Sequence, residues 1–261
     1  MSVRRILRGA AVLIGAAVLL SVALLLYARF IELHWIAVRT VRLSAGVPTL
    51  RIVHITDIHY AGDQAYLRRA VRIINRLAPD VVCFTGDLVE DRAHLAEALA
   101  ILRTLEHPVY GVPGNHDRWS RAPEAEIAAA FAATGGAWLA DATRESADGR
   151  LVISGMVHEW PATIALRPGQ KRLLLMHHPS SLVYLKGRHF DAILAGHTHG
   201  GQVRLPLLGP VLELALGTRS ERLIRGLTPT PSGPLYVNPG LGTFFIPLRF
   251  GCRPEITLIE L

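Results

Sequence analysis

The chain has 261 residues, of which 50% are hydrophobic, 19% charged and 7% aromatic. That balance excludes a disordered or fibrous chain, and the length allows one large α/β domain or two small ones. The net charge of +7 is divided between an N-terminal stretch (four arginines against Glu32 over residues 1–35) and a body of net +4. No arginine run with interleaved aromatics follows, so a mixed surface is expected and no nucleic-acid partner.

The mean hydropathy of +0.30 is high for a soluble domain. Its source is Gly9–Ala28, GAAVLIGAAVLLSVALLLYA, which carries no charge and has arginines on both sides. A membrane span needs about 20 apolar residues. A retained single-pass anchor is expected. A cleaved signal peptide is the alternative, but the run is long for one and shows no small-x-small site before Arg29. Val3 and Arg8 fit a twin-arginine export signal poorly. Arginines before and after the span nearly balance, with a slight lean towards the N-terminus inside and the body outside. The expected division is an anchor and short linker over 1–35 and one domain over 36–261.

Past Trp35, short apolar runs alternate with helical patterns. Leu50–Ile55 reads as a buried strand. Tyr66–Leu77 places Leu67, Ala70, Val71, Ile74 and Leu77 on one helical face, and Pro79 ends it. Strands are expected at Asp80–Thr85 and Pro108–Val112, with a helix over Asp91–Leu105 between them. Pro123 and Glu124 open an alanine-rich helix that stops before Gly135-Gly136. Strand-like runs follow at Leu151–Ser154, Arg172–Met176, Asp191–Ala195, Leu235–Asn238 and Glu255–Ile259. Strands alternating with helices, then mostly strands, imply a layered α/β sandwich. Cys83 and Cys252 are too few for a disulfide scaffold or a cysteine-only zinc cluster, and both read as inert buried thiols.

Five of these strands run into Asp, Asn or His. Asp57-Ile58-His59, Gly86-Asp87, Gly114-Asn115-His116-Asp117, His177-His178-Pro179 and Gly196-His197-Thr198-His199 follow in that order. Ligands in open α/β sheets bind at the carboxyl ends of strands. If the chain stays extended there, Asp57 and His59 point to one side, as do His197 and His199. His54 then faces away and reads as core. His94, His107, His158 and His189 read as surface or packing residues.

The set DIH, GDLVE, GNHD, MHHP and GHTH resembles the signature of the calcineurin-like metallophosphoesterases. Downstream, GGQVRLP and GLGTFFIPLRFGCRPEITLIEL look like the bacterial branch with an N-terminal membrane anchor. The resemblance implies a four-layer α/β/β/α sandwich preceded by one transmembrane helix. It also implies two divalent metal ions per chain, manganese first and iron or zinc as alternatives. Asp57, His59, Asp87 and His199 would hold one ion; Asp87, Asn115, His177 and His197 would hold the other, with Asp87 bridging. Mixed oxygen and nitrogen ligands without thiolate suit those metals. His178 competes with His177, which the family pattern favours. His116 would act as general acid with Asp117 orienting its ring, and Glu90 would support the ligands. The loop GMVHEW departs from relatives that carry an acidic pair there, since it offers only Glu159.

The implied activity is metal-dependent hydrolysis of a phosphodiester or diphosphate by metal-activated water. The location would be the bacterial inner (cytoplasmic) membrane, and the chain a monomer. An anchor near the bilayer suits a lipid-linked substrate such as UDP-2,3-diacylglucosamine, which requires a cytoplasmic site. An outward-facing cell-envelope phosphodiesterase is the enzyme alternative. A membrane-tethered, non-catalytic metal-binding scaffold is the alternative of another class. Neither a G-x-x-x-x-G-K-[ST] loop nor a G-x-G-x-x-G turn after a first strand is present.

Overall fold

The computed structural model describes residues 3–44, 46–185, 187–211 and 223–261. Helix α1 (Val3–Leu26) runs on through a π turn at Tyr27–Ile31 and a 3₁₀ turn at Glu32–His34. Its apolar side chains face outwards, as at Leu13 and Leu19 (72 and 73% exposed). Leu7–His34 is long and apolar enough to cross a membrane.

Two six-stranded sheets form the body. The first is ordered β1-β14-β2-β3-β4-β5, from Ala37–Arg42, Glu255–Glu260, Arg51–Ile55, Val81–Phe84, Val109–Gly111 and Ala137–Trp138. Strands β2 to β5 are parallel, and β14 is antiparallel to β2. The second is ordered β12-β13-β9-β8-β7-β6, from Gly226–Thr230, Gly233–Val237, Ala192–Ala195, Lys171–Met176, Leu151–Met156 and Ala142–Glu145. Its four inner strands are parallel, and both edge strands are antiparallel to their neighbours. A short hairpin, β10 (Arg204–Leu205) with β11 (Gly209–Pro210), stands apart.

The sheets pack face to face through Ile52, Cys83, Tyr110, Ile153, Leu175 and Tyr236. Helices α2 (Gln64–Leu77), α3 (Leu95–Leu102) and α5 (Glu124–Ala132) cover the outer face of the first sheet. The amphipathic pattern of α2 is the expected one: Leu67, Ala70, Val71 and Ile74 are buried. Asp63 caps its N-terminus by accepting the Tyr66 N–H, and Ala78 ends it in the left-handed region before Pro79. The helix expected over Asp91–Leu105 is a 3₁₀ turn at Arg92–His94 followed by α3. The fourth layer is thin. A 3₁₀ helix (Pro179–Tyr184) and the 157–170 loop cover the second sheet through Leu185, Phe190 and Trp160.

This arrangement brings the carboxyl ends of β2, β3 and β4 to the same edge as those of β8 and β9. Gly196 lies so close to the first sheet that a Cβ would sit 2.1 Å from Thr56 Oγ1; only glycine permits that approach.

Candidate metal centre

The carboxylates and imidazoles converge in two groups. In the first, His59 Nε2 lies 3.0 Å from His199 Nε2, and Asp57 Oδ1 lies 3.5 Å from His199 Nε2 and 3.8 Å from His59 Nε2. In the second, His177 Nε2 lies 2.9 Å from Asn115 Oδ1 and 3.2 Å from His197 Nδ1. Asp87 Oδ2 stands between the groups, 3.5 Å from His59 Nε2 and 3.2 Å from His177 Nε2. Its other oxygen, Oδ1, accepts the His116 backbone N–H at 2.8 Å. The carboxylate is therefore held by one oxygen and free to bridge with the other.

Facing nitrogen lone pairs at 3.0 Å repel unless a proton or a cation lies between them. The donor set therefore fits two divalent ions, with oxygen and nitrogen ligands and no sulfur. The tautomers fit as well. His177 Nδ1 sits 2.7 Å from the Thr85 carbonyl, so Nδ1 donates there and Nε2 is the nitrogen left to bind an ion once its proton is displaced. Thr56 Oγ1 and the His197 N–H donate to Asp57. His199 Nδ1 is buried with no hydrogen-bond partner among the described residues.

Charge follows from this geometry. Burial pushes the carboxyl of Asp57 up, yet His199, His59 and His177 hold it well below the usual range, and Asp87 is lowered by His177 in the same way. Against its burial, His59 rises to about 10 through hydrogen bonds with Asp57 and Glu90, and His177 rises to about 9 through Asp87. Burial depresses His199 to about 3 and lowers His197.

The local backbone differs from the extended reading. Strands β2 and β9 end at Ile55 and Ala195, and Asp57, His59, His197 and His199 have φ of 47°, 43°, 72° and 50°. Asp87 joins them at 61°. Left-handed backbone is costly for residues with a Cβ and clusters at functional sites. Here it turns two candidate ligands from each tight loop towards one centre.

The expected role of Asp117 is corrected. Its carboxylate accepts the backbone N–H groups of Gly114, Leu88 and Asp87 at 2.8, 2.8 and 2.9 Å. It sits at the third position of the short helix α4 (Asn115–Trp119), from which it reaches back over the helix start. Glu90 takes the orienting position instead, with Oε2 2.9 Å from His116 Nδ1 and Oε1 bonded to His59 Nδ1. The sequence signal for this was the last residue of GDLVE. His178 lies tilted against His197 at 3.9 Å between ring centroids, while His177 is the one that meets Asp87. His54 is buried, with Nε2 on Thr85 Oγ1.

Sequence reasoning gave no role to Arg249. It is fully buried, and its guanidinium donates to the carbonyls of Pro239, Gly240, Gly242 and Cys252. A Cβ on Gly240 would sit 2.7 Å from Asp57 Cβ, so the loop that Arg249 pins is the backing of a ligand.

Two clefts of about 250 Å³ open beside the donors. One, next to Asn115 and His177, is lined by Arg118, Trp119, His158, His178 and Ser181. The other lies beside His59, between Arg29 and Leu33 of the N-terminal segment and Ile58, Leu241 and Pro247.

The family model for calcineurin-like phosphoesterases matches residues 50–201. YkuE of Bacillus subtilis, an uncharacterized metallophosphoesterase, is 28% identical over 259 residues, covering 90% of this chain and 88% of its own. Phosphodiesterase YaeI of Escherichia coli is 26% identical, covering 90% and 92%. The UDP-2,3-diacylglucosamine pyrophosphatase LpxG of Chlamydia trachomatis is 26% identical, covering 85% and 89%. The family match encloses every loop that carries a candidate ligand from Asp57 to His199, and the chain belongs to the calcineurin-like phosphoesterases.

Proposed function

We propose that the chain hydrolyses a phosphodiester or diphosphate at a two-metal centre held beside a membrane by α1. The observation that carries this is the convergence of seven side chains into two donor groups that share Asp87 Oδ2. Asp57, His59, Asp87 and His199 would hold one ion, and Asp87, Asn115, His177 and His197 the other. Such ions, manganese first, would lower the pKa of a water and polarise the phosphoryl oxygens.

The remaining steps belong to the chain. The water gives one proton to solvent as its oxygen bonds to phosphorus, the bond to the leaving oxygen breaks, and His116 Nε2 delivers its proton to that oxygen and regains one from solvent. Glu90 on Nδ1 fixes the tautomer and steadies the charged ring. Asp117 ties together the two backbone segments that carry Asp87-Leu88 and Gly114. A scaffold that only stored metal would have no use for the Glu90–His116 pair, which favours catalysis. Residues 36–261 form the hydrolase unit in this reading, with 1–35 as anchor and connection. A lipid-linked diphosphate enters through LpxG, whose name specifies that chemistry.

The test is hydrolysis by the full chain in detergent with manganese, using p-nitrophenyl diesters, nucleotides and UDP-2,3-diacylglucosamine. His116→Ala should keep its metal and lose about 10²–10⁴ in kcat. The loss should be smaller for a good leaving group such as p-nitrophenol. Equal losses on good and poor leaving groups would remove His116 as the acid.

A further inference from the structure

Strand register fixes where α1 joins the body. Ala37 pairs with Glu255, and Thr257 pairs with His54 near the carboxyl end of β2. The N-terminal segment therefore enters at the edge that carries the ligand loops. The junction is packed. Ala28 and Glu32 are buried, the Glu32 carboxylate accepts the Cys252 N–H at 2.7 Å, and the Arg249 N–H bonds the Ala28 carbonyl at 3.1 Å. The Arg253 guanidinium lies 4.0 Å over the Trp35 ring. Packing, not a slack linker, sets the direction of α1 relative to the metal centre.

Beside this junction, Phe244, Phe245 and Ile246 form an apolar lip, 36, 85 and 47% exposed. It is an ordered lip. The Gln202 amide donates to the carbonyls of Phe244 and Ile246 at 3.0 and 2.8 Å and accepts the Phe244 N–H at 2.8 Å. Phe30 and Ile31, at the end of the N-terminal helix, are 60 and 54% exposed. Apolar groups clamped outward next to a span-length helix mark a membrane contact. The lip also reaches the site: the Phe244 ring lies 5.3 Å from His116 and 6.3 Å from His199. The cleft between Leu33 and Leu241, with Ile58, Leu67 and Pro247 and with Arg29, His34 and Asp63 also in its wall, runs from the helix end to His59, while Arg118 lines the other cleft, beside Asn115 and His177.

Building on the hydrolase reading above, we infer that the lip enters the leaflet that receives α1. The cleft beside His59 then takes the acyl part of a bilayer lipid, and the substrate is a phosphodiester or diphosphate joining that lipid to a polar head group. The head group lies in the cleft of Arg118. The substrate thus spans the metal centre from an apolar side to a polar one.

The test uses the manganese-loaded full chain in phosphatidylcholine vesicles and two probes with one leaving group. They are bis(p-nitrophenyl) phosphate in solution and the p-nitrophenyl diester of a diacyl phosphatidate in the bilayer. The bilayer probe should show at least tenfold higher kcat/KM, and Phe245→Ser combined with Ile246→Ser should cut that ratio about tenfold. Cys83 and Cys252 are buried, so a polarity-sensitive dye at Phe245→Cys reports the lip alone, and its emission should shift to the blue in vesicles. A wild-type ratio near one, a ratio unmoved by the double variant, or solvent-like emission would overturn the inference and leave the hydrolase reading standing. Failure of the wild type on both probes would overturn the hydrolase reading, and the dye would then decide the lip.

Discussion

Glu90 joins His59 to His116: one carboxylate oxygen is bonded to Nδ1 of the first ring and the other lies 2.9 Å from Nδ1 of the second. A proposed metal ligand and the proposed proton donor are thus oriented by the same side chain. Both rings present Nε2 to the site as a result. Both histidines also hold the Glu90 carboxyl well below the usual carboxylate range, against the effect of its partial burial. Glu90→Gln keeps the size and loses the charge. It should lower kcat about 10–100-fold and weaken metal binding by a similar factor, the usual cost of losing a partner behind a ligand. Kinetics together with metal titration check this, and an effect on only one of the two would separate the roles.

Asp87 is the one proposed ligand common to both donor groups, whereas His59 belongs to one. Asp87→Ala should bring bound metal close to zero per chain, and His59→Ala should leave one ion bound. Elemental analysis of the purified variants counts them. Two ions retained by the Asp87 variant would dismiss the bridge.

Protons should compete with metal in a defined direction. In the metal-free chain His59 and His177 keep their protons up to about 10 and 9, while Asp57 and Asp87 are already ionised. Each ion must therefore displace one histidine proton below those values. Manganese affinity should rise about tenfold per pH unit per ion between pH 6 and 8. Isothermal titration in buffers of different ionisation enthalpy measures the protons released; affinity independent of pH would contradict the assignment.

Arg249 is a stability prediction. Removing its guanidinium leaves the carbonyls of Pro239, Gly240, Gly242 and Cys252 without their donor in a dry interior. Arg249→Ala should cost about 3 kcal/mol, a fall of roughly 6–12 °C in Tm for a chain of this size. The loop it pins backs Asp57, so metal affinity should fall with it. Thermal melts with and without manganese test both, and an unchanged melt would show that the arginine is not structural.

The sequence was most legible where burial is complete. Strands β2, β3, β8 and β9 are continuous apolar runs because both faces of each are covered, and their positions were readable within a residue or two. Strand β1 was not, because it is a solvated edge: in AVRTVR only positions 37 and 41 are partly covered. The site residues were legible as a list, since each follows a strand. Their backbone was not, because five left-handed residues depend on contacts between the two sheets that no local window contains. The same holds for Glu90, whose partners lie 31 and 26 positions away, and for Arg249, a charge inside FFIPLRFG that reads locally as exposed.

The place of β14 dictates an order of assembly. This strand lies between β1 and β2, and its Glu260 is 218 positions from its partner Arg42. During synthesis, β1 and β2 emerge long before β14 and have no strand to join them. The first sheet stays split until residues 255–260 leave the exit tunnel, so the nascent chain holds two open strand edges. Completion of that sheet also seats Arg249 and the Gly240 loop behind Asp57. Capture of the first metal should then follow the pairing of β14, which stops a half-made chain from hydrolysing its substrate.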